Sequence, residues 1–245
     1  MHAMKWNPGL PACVLAALLL LAPAPAGAGV VMNATRYVYQ AGEREIAVKL
    51  TNKGTLPVLA QAWIDDGDAR STPEHVDVPF NLTPPISRVE SGKSQTLRIS
   101  FTEGTVPGDR ESQFWLNVLE VPPKAESAGD ANTIQLAFRY RLKLFYRPKG
   151  LKGSAAAAAE DLSWGLSRDG VLSVTNHSDY HVSLNELRLV SEGETIEAEP
   201  LSIAPHASLS PPLPKPLKAP RVDVRYQSIN DYGGFVPHST TIDAR

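Results

Sequence analysis

Residues 134 to 148, IQLAFRYRLKLFYRP, alternate without a break. Ile134, Leu136, Phe138, Tyr140, Leu142, Leu144 and Tyr146 share one parity; Gln135, Ala137, Arg139, Arg141, Lys143, Phe145 and Arg147 share the other. A period of two belongs to a β-strand. Fully extended, the run would span roughly 50 Å, against about 17–20 Å for an ordinary strand. By itself the pattern reads as one core face and one solvated face. Two features weigh against that. The apolar run is longer than one small sandwich covers, and Arg139, Arg141 and Lys143 lie at its middle rather than at a frayed end. A strand that overshoots its own sheet offers unpaired N–H and C=O groups together with apolar pegs. Proteins normally suppress such edges because they template aggregation. An edge kept open calls for a partner that completes it by strand addition.

The start of the chain has the layout of a secretory signal. Lys5 precedes an apolar run from Val14 to Ala22, and Ala26-Gly27-Ala28 follows, which places cleavage before Gly29. The run is too short to span a bilayer, which takes about 20 apolar residues. The Leu10-Pro11-Ala12-Cys13 stretch resembles a lipoprotein site, but the apolar run follows Cys13 instead of preceding it. Cys13 is the one cysteine of the chain. An exported protein without it must be held by core burial alone, and about 215 residues suffice for one or two cores. Removing residues 1–28 leaves 23 lysines and arginines against 26 carboxylates, a net charge of −3. That balance gives no reason to expect nucleic acid or an anionic membrane surface as a partner, and no membrane anchor follows the signal.

Short alternating segments succeed one another from Gly29. Ile46, Val48 and Leu50 share a face; so do Leu97, Ile99 and Phe101, and Phe114, Leu116 and Val118. Turn clusters at Asn52-Lys53-Gly54, Asp65-Asp66-Gly67-Asp68, Ser91-Gly92-Lys93, Pro107-Gly108-Asp109 and Pro122-Pro123 separate them. About seven strands at this spacing read as an immunoglobulin-type sandwich. The pattern breaks at Pro148, Gly150 and Gly153, where five alanines form a helix seed too short to stand alone. Strand signals then resume, so the expectation is all-β, with one domain over 29–149 and a second over 150–245. The proline-rich stretch 210–220 reads as an extended loop or edge, because proline cannot donate to a ladder.

Several catalytic-looking features lack the context their chemistry needs. Ser91-Gly92-Lys93-Ser94 resembles the end of a phosphate-binding loop, but Ser87 stands where that motif needs glycine, and a strand follows rather than a helix. His177 and His181 lie four apart on an alternating segment, which separates them by about 13 Å on a strand. No G-x-S-x-G is present, and no cysteine remains to pair with a histidine. No enzyme, metal or cofactor is expected.

The residues themselves resemble a known family. VPGDRESQFWLNVLEVPPK at 106–124 is similar to the signature of PapD-like periplasmic pilus chaperones. The same family matches LAQAWID at 59–65, FNLTPPISRVESGKSQTLRI at 80–99, NTIQLAFRYRLKLFYRP at 132–148, SVTNHSDYHVSL at 173–184 and SINDYGG at 228–234, in the family's order. One departure is Gln113, where the family has an aliphatic residue.

The resemblance implies two immunoglobulin-like β-sandwich domains set in an L, and a partner: a pilin subunit whose own sandwich lacks its last strand. The chaperone lends its long strand to fill the gap, then delivers the subunit to an outer-membrane usher. By position in the matched motifs, Ile134, Leu136, Phe138 and Tyr140 are the pegs. Arg36 and Lys143 are the cations that hold the subunit's C-terminal carboxylate. Arg88, Glu111, Arg147 and Asp231 form an interdomain salt-bridge network. Arg139 and Arg141 are expected to be solvated or to contact the pilin rim. The short connection from Pro122 to Thr133 matches the subclass with a short loop before the donor strand. A second reading, an exported adhesin-like sandwich that self-assembles through the same edge, has no use for a carboxylate clamp.

Overall fold

The computed structural model describes residues 29–102, 104–124, 135–191, 193–217 and 219–244. The signal segment and its cleavage site lie outside the described residues. Gly29 onward, two β-sandwiches follow one another, each around its own core.

The first sandwich contains β1 (Val30–Met32), β2 (Arg36–Gln40), β3 (Ile46–Asn52), β4 (Val58–Asp65), β5 (Phe80–Thr83), β6 (Ile86–Val89), β7 (Ser94–Phe101), β8 (Ser112–Val121) and β9 (Phe138–Arg147). One sheet runs β1-β3-β7-β5 and the other β2-β9-β8-β4-β6. The alternating apolar positions meet between them: Val48, Leu50, Leu97, Ile99, Leu116, Val118 and Leu144 are all buried. Tyr39, Phe80, Phe101, Phe114 and Tyr146 pack as an aromatic cluster at one end of this core. Ser91-Gly92-Lys93 forms a turn into β7, with Gly92 at φ +70°, a conformation that glycine adopts without strain.

A turn at Lys149-Gly150 leads to the second sandwich. The alanine run becomes α1 (Ala155–Glu160), capped by Ser154, whose Oγ accepts from Ala157 N at 3.2 Å. So short a helix persists because its inner face is buried: Ala158 and Ala159 join the second core, and Tyr226 Oη donates to Ala159 O at 2.9 Å. The strands are β10 (Ser163–Leu166), β11 (Leu172–Thr175), β12 (Val182–Ser191), β13 (Glu194–Ala198), β14 (Leu201–Ile203), β15 (Ser208–Leu209), β16 (Arg221–Ile229) and β17 (Phe235–Asp243). They form a β10-β11-β15 sheet facing a β13-β12-β16-β17 sheet, with β14 alongside β12. The described parts of the proline-rich stretch, 210–217 and 219–220, carry no strand.

The long strand is shorter than its alternation predicts. β9 begins at Phe138, and Gln135, Leu136 and Ala137 precede it outside any ladder. The reason lies in its neighbour. Phe138 pairs with Glu120 near the end of β8, and Pro122-Pro123 follow, which cannot donate to a ladder. Ile134 lies outside the described residues. No helix among the described residues is long and apolar enough to cross a membrane.

Candidate functional site

β9 has two different edges. From Phe138 to Tyr146 one edge pairs antiparallel with β8, from Glu120↔Phe138 to Ser112↔Tyr146. The other edge pairs in parallel with β2, but only from Arg36↔Lys143 to Gln40↔Arg147. From Phe138 to Leu142, no described strand occupies that second edge. Leu136 and Phe138 beside it are 61% and 55% exposed, whereas Leu144 further along is fully buried. One face of one strand is therefore core at its C-terminal half and bare apolar surface at its N-terminal end. Tyr140 lies between these regimes, half-buried, its hydroxyl donating to Glu120 Oε2 at 3.1 Å.

Arg36 and Lys143 stand opposite each other where β2 takes over this edge. Arg36 is 8% exposed; its Nη1 donates to Ile229 O of the second sandwich at 2.9 Å, and its Nε is buried without a hydrogen-bond partner. The guanidinium also lies 5.9 Å from the Phe145 ring centroid. Lys143 Nζ donates to Ser183 Oγ at 2.7 Å and to Ser202 Oγ at 2.9 Å, both across the domain boundary. Neither cation has a carboxylate within salt-bridge distance among the described residues. Burial, and then the neighbouring Arg36 charge, push the Lys143 ammonium down to about 8. Burial lowers the Arg36 guanidinium too, while Asp231 and Glu111 pull it back up. Two desolvated cations side by side favour an anion between them.

Just beyond, three of the four expected network residues meet. Arg147 Nε donates to Glu111 Oε1 at 2.5 Å, and its Nη1 and Nη2 grip Asp231 Oδ2 and Oδ1 at 2.7 and 3.0 Å. Glu111 is buried; its Oε2 accepts from His181 N at 2.8 Å, and its own N donates to Asp179 O. Burial alone would lower the Arg147 pKa, but the hydrogen bonds and charges of Asp231 and Glu111 outweigh it and raise the value. Arg88 is not part of this group. It lies on β6 and pairs with Glu90, both well exposed. In the sheet order β6 is three strands from β9, roughly 14 Å, beyond the reach of the Arg147 cluster.

The other parity of β9 also departs from expectation. Arg139 and Arg141 are neither free in solvent nor bare rim. Arg141 Nη2 meets Asp65 Oδ1 at 2.6 Å and its guanidinium stacks 4.3 Å from the Trp115 ring. Arg139 donates twice to Asn117 Oδ1, at 3.0 and 2.8 Å, and covers the Trp63 ring at 4.6 Å. Asp65, read from the sequence as a turn residue, is 1% exposed and also accepts from Asn117 Nδ2, Ser71 Oγ and Gly67 N. Burial alone would raise its carboxyl; these donors, Arg141 foremost, hold it below its ordinary range. The available signal was Trp63 and Asp65 at the end of an apolar segment whose partner strand supplies Trp115 and Asn117. Gln113 has its Oε1 buried without a partner, so the family's aliphatic position here carries a polar group at some cost.

Two immunoglobulin-like sandwiches joined by the Arg147–Asp231 ion pair and by hydrogen bonds, with an open strand edge running into a pair of cations, make a two-domain binding protein of chaperone type. Family models fix the assignment. The "Pili and flagellar-assembly chaperone, PapD N-terminal domain" matches residues 29–152, and the "Pili assembly chaperone PapD, C-terminal domain" matches 157–240. The chain belongs to the PapD family of pilus-assembly chaperones, a chaperone family and not an enzyme family. Chaperone protein FimB/FhaD of Bordetella pertussis is 46% identical over 97% of this chain and 98% of its own. The crystal structure of the YadV chaperone superposes with a TM-score of 0.76 at 38% identity, covering 87% of this chain and all of that one. SafB, solved as a chaperone in complex with the Salmonella enterica SafA pilin, has a TM-score of 0.73 at 28% identity, covering 86% of this chain and 95% of that one.

Proposed function

We propose that this chaperone works in the periplasm, where it captures pilin subunits by completing their sandwich with β9 and passes them to an outer-membrane usher. The observation that carries this is positional. The unpaired edge from Phe138 to Leu142 ends where Arg36 and Lys143 begin. A subunit strand entering the lane that β2 leaves vacant, and running parallel to β9 as β2 does, arrives C-terminus first at the two cations. Its terminal carboxylate accepts from a guanidinium and an ammonium at once, each such charged bond worth roughly 1.5–3 kcal/mol. That end point fixes register, and register decides which pegs meet which pockets. Leu136 and Phe138 are the pegs, Tyr140 closes the row, and Ile134 extends it beyond the described residues. Strand donation by pilus chaperones is itself a recognised form of β-augmentation. The spacing from Pro122 to Thr133 supports the short-loop subclass; 125–134 lie outside the described residues.

The test is Phe138→Glu, with Leu136→Glu beside it. Both positions are exposed in the free protein, so its thermal melt should not move. Subunit capture should fall more than a hundredfold, because a charge buried in an apolar groove costs several kcal/mol. A collapsed melt, or unchanged capture by a folded variant, would overturn the proposal.

A further inference from the structure

Behind Arg36 lies a cavity of about 250 Å³ between α1 and the β12-β16-β17 face. Its walls are largely apolar, formed by Phe145, Ala155, Ala156, Ala159, Val182 and Val236. Arg36 and His181 line it too, and Arg36 Nε and His181 Nδ1 are buried without hydrogen-bond partners. Ser228 Oγ and His238 Nε2, on residues that also line it, lie 2.8 Å apart. The volume is below that of an ordinary small-molecule site, which runs to roughly 300–1,000 Å³, and suits one large side chain.

We propose that this cavity receives the side chain of the captured subunit's C-terminal residue, and that this residue is aromatic or large and aliphatic. The inference rests on the clamp proposed above. Arg36 belongs to both places, so a carboxylate held there puts its own residue's side chain at the cavity mouth. The apolar walls favour burial of that side chain, and Ser228 and His238 can meet a tyrosine hydroxyl. Glu111, Glu160 and Asp231, which also line the cavity, disfavour a terminal acid. The site thus reads the identity of the last residue, where the two cations read only its carboxylate.

The full chain would be titrated, by fluorescence anisotropy, with synthetic peptides of one fixed alternating apolar sequence ending in Tyr, Leu, Gly or Asp, and with the Tyr peptide amidated. Burying one large apolar side chain predicts that the Tyr and Leu peptides bind roughly tenfold to a hundredfold tighter than the Gly and Asp peptides. Ala156→Phe, on the exposed side of α1 at the cavity wall, should erase that preference and leave the Gly peptide's affinity unchanged; Val236→Phe is the second filling variant. Equal binding of all four endings, with amidation still weakening the Tyr peptide, overturns the cavity and spares the clamp. A preference that survives both folded filling variants also overturns it. Insensitivity to amidation overturns the clamp, and this subsite with it.

Discussion

Lys143 is held as a cation in a place that disfavours it. Burial and the Arg36 charge bring it down to about 8, and a bound carboxylate would restore it toward its ordinary range. The bound form then has the higher pKa, so capture takes up a proton, and affinity falls as pH rises through 8. Capture at pH 9 should be about tenfold weaker than at pH 7, and Lys143→Arg, which stays charged, should flatten the profile; affinity titrations at the two values check this. At this scale the sequence was legible wherever a residue's position follows from the strand it occupies. Arg36 and Lys143 were placed by motif, and the structure sets them in register. Arg88 was misassigned because a charge inside a matched motif carries no distance, and only the sheet order removes it from the Arg147 group. Asp65 was missed because its turn-like sequence context, Asp65-Asp66-Gly67-Asp68, describes its backbone while its side chain turns inward.

A strand with one bare edge keeps only half its ladder, and β9 must hold its shape from Phe138 to Leu142 on β8 alone. Side chains supply the missing constraint. Arg139 and Arg141 lie over Trp63 and Trp115, and Asp65 and Asn117 anchor them from β4 and β8. Asp65→Ala would strip Arg141 of its carboxylate and leave Asn117 and Ser71 short of an acceptor. The expected loss is about 3 kcal/mol of stability to denaturant, with faster amide exchange concentrated at 138–142. Exchange spread evenly over the first sandwich would refute this anchoring. Alternation made the longer strands of the first sandwich legible, β3, β7, β8 and β9, since the residues that repeat at period two are those buried between its sheets, whereas the short strands β1, β2, β5 and β6 carry too few residues for a period to show. The strand's true start was not legible, because it is decided by Pro122-Pro123 on the neighbouring chain segment. The role of Arg139 and Arg141 was hidden for a related reason: their partners come from two other strands, and local periodicity does not report cross-strand pairing.

Specific polar contacts run between the sandwiches: Arg147 with Asp231, Glu111 with His181 N and Asp179 O, Arg36 with Ile229 O, and Lys143 with Ser183 and Ser202. Interfaces inside one chain are commonly modest and mobile, so a bidentate ion pair here should hold the relative setting of the domains. Asp231→Asn should weaken this hinge by about 1–3 kcal/mol and leave each domain folded. Small-angle scattering should broaden for the variant and subunit yield should fall; an unchanged profile together with unchanged yield would show these charges to be passive. The parallel pairing of β2 with β9 has one more consequence. If a client occupies the lane upstream of Arg36, it can do so in one direction only. Entering the other way, it would bring an ammonium terminus against two cations. The protein would then recognise the polarity of a chain and the place where it stops, while asking little of the residues between. Unlike subunits of one fibre, sharing no more than an ending and a spacing, could all be served by a single copy of this chaperone.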